Sequence, residues 1–284
     1  AEVTSIVILG SARLLEDGDR GSSRVKPSIM PVTVLDGLRA KYGAAKVAWV
    51  DSDFHESWLA QIRQADMVIV DVGYDWTFEG EFIPPDLGGD RKYLTLHDRQ
   101  LRMIKVAANA SSNVVPVITS GQAVIVEDFV DDVPAALWLG YSGPLGGQAL
   151  ADILSGDVNP SGRTVSVTPR RAADYLPPGV TQEPWKDAPA RTYPYAYGFK
   201  KMWADAIEPR FPLGFGLSYT SFAFGTPTLT VRGDLATEAG GGAVRVAVTN
   251  TGAVPGIETV QLYGTCEACR RERLPIVLLG FAKV

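Results

Sequence analysis

Two apolar rhythms alternate along the first half of the chain. Short runs rich in β-branched residues, stopped by polar residues or glycine, lie at Ser5 to Leu9, Lys46 to Val50, Met67 to Val70 (closing at Gly73), Val114 to Ile118, Ala135 to Leu139 and Val165 to Val167. Runs this short and this apolar suit strands covered on both faces. Between them the spacing becomes helical. Val32 to Tyr42 carries Val34, Leu35, Leu38 and Tyr42 on one stripe, with Gly43 as a stop. Ser57 to Gln64 turns Trp58, Leu59 and Ile62 inward, and Asp98 to Ala110 does so with Leu101, Ile104 and Ala108, with Asp98 as its N-cap. Pro144 to Leu154 has proline near its first turn and Gly156 beyond its end. Strands alternating with helices predict an α/β fold, a mostly parallel sheet sandwiched by helices.

From Ser221 the helical spacing stops. Thr228 to Val231, Ala243 to Thr249, Glu258 to Tyr263 and Pro275 to Phe281 read as strands, separated by turns such as Asn250-Thr251-Gly252. This stretch is too short for a sandwich of about 100 residues and seven strands, so a partial all-β sandwich is expected. The division is then residues 1–168 for the α/β part, 169–220 for a proline- and aromatic-rich linker packed on it, and 221–284 for the incomplete β part. In the linker, Trp185, Tyr193, Tyr195, Tyr197 and Trp203 either stack on a sugar face or pack the linker onto its neighbour.

The stretch from Asp66 to Gln100 carries the chemistry. After the strand ending at Gly73, more than twenty residues show neither rhythm until Leu94. A loop that long in a compact domain is usually functional or disordered, and the carboxyl end of a parallel strand is where open α/β sheets place their sites. Inside it stands Phe78-Glu79-Gly80-Glu81-Phe82. A carboxyl between aromatics is desolvated, which favours its neutral form and suits a general acid; solvated loop glutamates are the plainer reading of the same residues.

Composition removes other classes. The 284 residues carry a net charge of −5, which argues against a nucleic-acid surface. No apolar run approaches the eighteen or so residues needed to span a membrane. The start, AEVTSIVILG, has an acid at position 2 and no basic region, so it does not read as a signal peptide, and without a leading Met it is expected to be processed or cut from a longer chain. The segment after the first strand, Gly10 to Val25, lacks G-x-G-x-x-G, so no dinucleotide cofactor is expected. The two histidines, His55 and His97, are far apart, which gives no support to a Ser-His-Asp or metal site. The two cysteines form one C-x-x-C, Cys266 and Cys269, read as a plain loop pair or a local disulfide. No metal or other cofactor is expected.

The chain resembles glycoside hydrolase family 3, the β-glucosidase and β-xylosidase family, over nearly its whole length and in family order. Glu79-Gly80, then Asp90-Arg91, Leu94-Thr95-Leu96 and Gln100 resemble that family's acid/base loop. Gly21-Ser22-Ser23-Arg24-Val25 is similar to its Gly-Ser-Ser-x-Val loop. Gly156 to Arg163 (GDVNPSGR) resembles its Asn-Pro-Ser-Gly turn, with Thr164-Val165 where Leu-Pro is usual. Phe211 to Thr220 (FPLGFGLSYT) resembles its most specific motif, and VTNTG with VQLY resembles its fibronectin type III-like module. The resemblance implies that Glu79 is the general acid/base, with Glu81 as the alternative if the alignment slips by two. It implies that Arg24, Trp76 and Phe78 contact sugar, with Arg24 pairing to Asp17 or Asp19 as the competing reading, and that Asp90-Arg91 braces the loop.

A glycosidase needs two carboxylates flanking the bond, about 5–5.5 Å apart in retaining enzymes. In this family the nucleophile is an Asp on a (β/α)₈ barrel, which needs about 200 to 250 residues of its own. The resemblance therefore implies the acid/base-carrying part of a retaining, exo-acting β-glycosidase, with the nucleophile domain absent from this chain and the chain alone inactive. The partners expected are a β-glycoside or oligosaccharide and a (β/α)₈ barrel domain or chain, with no nucleic acid and no membrane. The alternative is a non-catalytic carbohydrate-binding or scaffold protein retaining the fold. An unrelated α/β esterase fares worst, because no G-x-S-x-G elbow exists.

Overall fold

The computed structural model describes residues 2–11, 26–50, 57–80, 91, 93–175, 197–233, 241–271, 274 and 276–284. Five strands make one all-parallel sheet: β1 (Ile6–Gly10), β2 (Val47–Val50), β3 (Met67–Gly73), β4 (Val114–Thr119) and β5 (Leu137–Trp138), in the order β2-β1-β3-β4-β5. Period-two alternation sorts their side chains onto two cores. Val7, Leu9, Val68, Val70, Val72, Val114 and Ile118 face one side, and Ile6, Ile8, Ile69 and Val117 the other. Each fully covered aliphatic side chain contributes about 1.5–3 kcal/mol, so residues apolar on both faces have no other stable place.

Helices cover both faces. α1 (Val34–Tyr42) begins in a capping box, in which the Thr33 hydroxyl accepts from the Asp36 amide and the Asp36 carboxylate accepts from Thr33 N. It packs with Leu150 and Ala151 of a later helix onto the Ile6/Ile8 side. α2 (Ser57–Gln64) puts Ile62 onto the other side. After β3 a single turn, α3 (Trp76–Glu79), interrupts the long loop. α4 (Asp98–Ala110) adds Met103, Ile104 and Ala107 to the same side as α2; its N-cap is His97, with Asp98 one residue inside the helix. α5 (Gly146–Ser155) supplies Leu150 and Ala151 and ends at Gly156, whose φ of 83° is the left-handed cap. The α/β class predicted from the pattern is the fold found.

The sequence expectation fails at three strands, one of them Ala243 to Thr249, which splits into Gly241–Arg245 and Val248–Asn250. β5 is two residues long where five were expected. Val165 to Val167 forms no strand: Val165 is 80% exposed, and Thr168 makes only an isolated antiparallel bridge to Phe211. Two short helices follow, α6 (Ala172–Tyr175) and α7 (Phe199–Ala204). Trp203 packs edge-on between Phe199 (5.1 Å) and Tyr263 (6.2 Å), and Tyr197 is exposed. Trp185, Tyr193 and Tyr195 lie outside the described residues.

The C-terminal part is antiparallel. β6 (Phe222–Phe224) pairs with β9 (Val248–Asn250), β7 (Thr228–Arg232) with β8 (Gly241–Arg245), and β10 (Thr259–Gly264) with β11 (Val277–Lys283). Among the described residues these are three separate two-stranded sheets, with Leu229, Val231 and Phe281 exposed. The connector before β11 holds α8 (Glu267–Arg271), and Cys266 and Cys269 there are joined in a disulfide.

Candidate functional site

The loops after β3, β4 and β5 meet at the carboxyl end of the sheet, around Glu79. Tyr74 N donates to Thr119 O at 2.8 Å, so the chain leaving β3 stays tied to β4. Asp75 then caps α3, its carboxylate accepting from Thr77 N at 2.9 Å, and Glu79 N donates to Asp75 O at 2.9 Å. This single turn fixes the direction in which Glu79 leaves the backbone.

Three groups from three different stretches meet the Glu79 carboxylate. Arg91 Nε lies 2.9 Å from Oε1, with both side chains only 7% exposed. Gly121 N donates to Oε2 at 2.7 Å, and the Tyr141 hydroxyl donates to the same oxygen. Arg91 is itself held: its Nη2 donates to Ala123 O at 3.1 Å, and its guanidinium lies over the Tyr74 ring, 4.6 Å from the centroid. Arg91 thus ties its stretch to Ala123 and pairs directly with Glu79, while Asp90, the other half of the expected brace, lies outside the described residues. The returning loop is pinned beside it, Ile125 N donating to Leu94 O at 2.7 Å and Gln100 Nε2 to Gly73 O at 2.8 Å.

Among the described residues the Glu79 carboxylate meets polar groups rather than the aromatic wedge expected from sequence, whose other ring, Phe82, lies outside them. Phe78, an exposed residue, packs its ring on His97 (4.3 Å) and edge-on to Tyr74 (6.1 Å), so its aromatic partners are those rings while donors and a guanidinium meet the carboxylate. Tyr74 is buried, its hydroxyl donating to Thr95 O; burial pushes that phenol up, against the pull of Arg91. Tyr141 is 42% exposed, but its hydroxyl is the end turned inward; burial, and next the bond to Glu79, push the phenol far above the ordinary tyrosine value. Trp76 is half-buried on the same turn as Phe78 and Glu79. Arg24 and Glu81 lie outside the described residues. Among the described residues no three His, Cys, Asp or Glu side chains form a cluster that could hold a metal.

Tyr141 and Gly121 escaped the sequence reading. They stand 62 and 42 residues from Glu79, and only the β3-β4-β5 adjacency brings their loops beside it. The one local sign was the concentration of glycines and serines after the fourth and fifth apolar runs.

Comparison with known proteins agrees with this geometry. Residues 1–219 match the model of the glycosyl hydrolase family 3 C-terminal domain. A β-xylosidase of Formosa agariphila is 31% identical over 262 residues, covering 89% of this chain and 34% of its own length. A β-glucosidase of Rhizobium radiobacter is 35% identical over 266 residues, covering 89% of this chain and 30% of its own. The chain thus spans about a third of the length of these relatives. Among solved structures, the β-D-glucoside glucohydrolase of Trichoderma reesei superposes with a TM-score of 0.79 at 25% identity, over 100% of this chain and 44% of that one. With the sheet, the loop order and the matched residues in agreement, the chain belongs to glycosyl hydrolase family 3 and carries that family's C-terminal domain.

Proposed function

We propose that this chain supplies the acid/base carboxylate of a retaining, exo-acting β-glycosidase, and that Glu79 is that carboxylate. The observation that carries the proposal is a buried carboxylate at the carboxyl end of the parallel sheet, gripped by Arg91, Tyr141 and Gly121. The nucleophile, an Asp on a (β/α)₈ barrel domain, lies outside these 284 residues; the chain spans only about a third of its relatives. Glu81 is the alternative acid/base, and Arg24, Trp76 and Phe78 are the proposed sugar contacts. In the first step the C–O bond breaks, the glycosidic oxygen keeps the electron pair and takes the proton of Glu79, and the nucleophile bonds to the sugar. In the second, the Glu79 carboxylate takes a proton from water as that water's oxygen displaces the nucleophile.

The test is Glu79→Gln in the enzyme that unites this chain with its barrel. Turnover of alkyl glycosides, whose poor leaving groups need a proton, is expected to fall about 10²- to 10⁴-fold. Turnover of dinitrophenyl glycosides should suffer far less, and added azide should partly restore it by replacing base-assisted water. The isolated chain should not turn over aryl β-glycosides, having only one carboxylate of the pair. Near-normal turnover by Glu79→Gln with loss in Glu81→Gln would move the role to Glu81. If neither substitution matters, the loop is structural and the proposal fails.

A further inference from the structure

The two oxygens of the Glu79 carboxylate are held differently. Oε2 accepts from the Tyr141 hydroxyl and from Gly121 N at 2.7 Å. Oε1 is in ionic contact with Arg91 Nε at 2.9 Å; among the described residues neither Oε1 nor Arg91 Nη1 has a hydrogen-bond partner, although both side chains are more than nine-tenths covered. A carboxylate oxygen with two donors on it has both lone pairs engaged. Oε2 is thereby fixed by two donors, and the orientation of the whole carboxyl with it.

We infer that Tyr141 is a positioning residue for the acid/base step: together with Gly121 it pins Oε2 and so fixes the orientation of the carboxyl that hands the proton to the leaving group. The inference rests on Glu79 being the acid/base. Gly121 shows how closely the cradle is built. A Cβ there would stand 2.9 Å from Cε2 of Tyr141 and 3.5 Å from Glu79 Oε2, so the ring reaches the carboxylate only because residue 121 has no side chain. Tyr141 arrives from a separate element, one residue after Gly140, whose φ of 61° turns the chain out of β5. Its hydroxyl, far less acidic than an ordinary phenol, stays a donor throughout the pH range in which a carboxyl cycles. When the C–O bond breaks, the leaving oxygen takes the electron pair and the proton of the Glu79 carboxyl. The charge left on Glu79 is met by Tyr141 and Gly121 on Oε2 and by Arg91 on Oε1. In the second step the carboxylate takes the proton of the attacking water, and the cradle returns to its starting state.

A purely structural Tyr141 and a positioning Tyr141 differ in leaving-group dependence. In the barrel-containing enzyme, kcat is measured for Tyr141→Phe, Gly121→Ala and Glu79→Gln on a series from alkyl to dinitrophenyl glycosides. Tyr141→Phe is expected to lose about 10- to 100-fold on alkyl glycosides, the scale of one hydrogen bond to a charged group. The loss should shrink along the series, as for Glu79→Gln, with KM little changed. Gly121→Ala keeps the phenol but displaces its ring, and should show the same trend; it also serves if Tyr141→Phe fails to fold. A uniform loss across the series, a change confined to KM, or no change in either variant, while Glu79→Gln keeps its trend, overturns the inference alone. Absence of the trend in Glu79→Gln overturns the proposed function and takes the inference with it.

Discussion

Asp66 and Glu79 each gather several hydrogen-bonding or ionic contacts, to different ends. Asp66 Oδ2 accepts from Thr4 Oγ1 at 2.7 Å, Thr4 N at 2.7 Å and Ser5 N at 3.0 Å, which ties the entry of β1 to the start of β3. These donors, led by the Thr4 hydroxyl, hold its carboxyl below the ordinary carboxylate value. A folded-state value depressed below the unfolded one, about 3.9, gives stability that is fully present above that pH and is lost as pH falls through the folded value. Asp66→Asn should therefore lower stability at neutral pH and flatten the fall in stability below about pH 4. Urea titrations of both proteins from pH 2.5 to 7 check this; parallel pH profiles would mean that Asp66 carries no linkage. Neither Asp66 nor Tyr141 stood out in the sequence, because each acts on residues some sixty positions away. Glu79 did, because the stretch from Glu79-Gly80 through Asp90-Arg91 to Gln100 resembles the family's acid/base loop.

At the scale of elements, what could be read in advance was whatever burial on both faces had written into a short run. β1, β3 and β4 fall where the β-branched runs lie, since each strand sits inside the sheet with neighbours on both edges. β5, at the edge, keeps two residues, and Val165 to Val167 has no sheet to join. The contact between α1 and α5 was invisible for another reason: it is made by absent side chains. A Cβ on Gly37 would lie 2.1 Å from Gly147 O, and one on Gly147 would lie 2.0 Å from Thr33 O. Both obstacles are backbone, so only a separation of the helices could make room. Gly37→Ala gains about 1 kcal/mol of helix propensity and loses about 3 kcal/mol or more to overpacking. Overpacking wins, and net destabilisation of about 2 kcal/mol is expected in urea unfolding. An unchanged or more stable protein would show that the two helices shift apart without cost.

At the scale of the whole molecule, the two longest family-like motifs turn out to be halves of one joint. Asn159 Oδ1 accepts from Tyr219 N at 2.9 Å and Ser218 Oγ at 3.0 Å, and its Nδ2 donates to Pro255 O at 3.0 Å. Arg163, four residues on, donates to Gly216 O and to the Glu258 carboxylate at the head of β10, with the two side chains 11% and 14% exposed. The turn after α5, the Phe211 to Thr220 stretch and the β10–β11 ladder are thus fastened at one corner. Sequence marked the first as a turn and the second only as a family-like motif; that they share hydrogen bonds follows from the fold, with Thr164 N to Phe215 O at 2.8 Å as a further tie. Removing one partner of a buried pair costs more than the pair contributes, because the other charge stays covered without its counterion. Glu258→Ala should therefore destabilise the β10–β11 region by up to about 3 kcal/mol, less than the full range for a wholly buried pair. The loss should be local. Amide exchange of β10 and β11 should quicken while β1, β3 and β4, inside the parallel sheet, keep their protection. Replacing both partners, as Arg163→Met with Glu258→Leu, should recover most of the loss, since no orphaned charge remains. If Glu258→Ala instead deprotects the parallel sheet to the same extent, the two parts unfold as one unit and the corner is an internal strut; if β10 and β11 are unaffected, the corner does not fasten them at all.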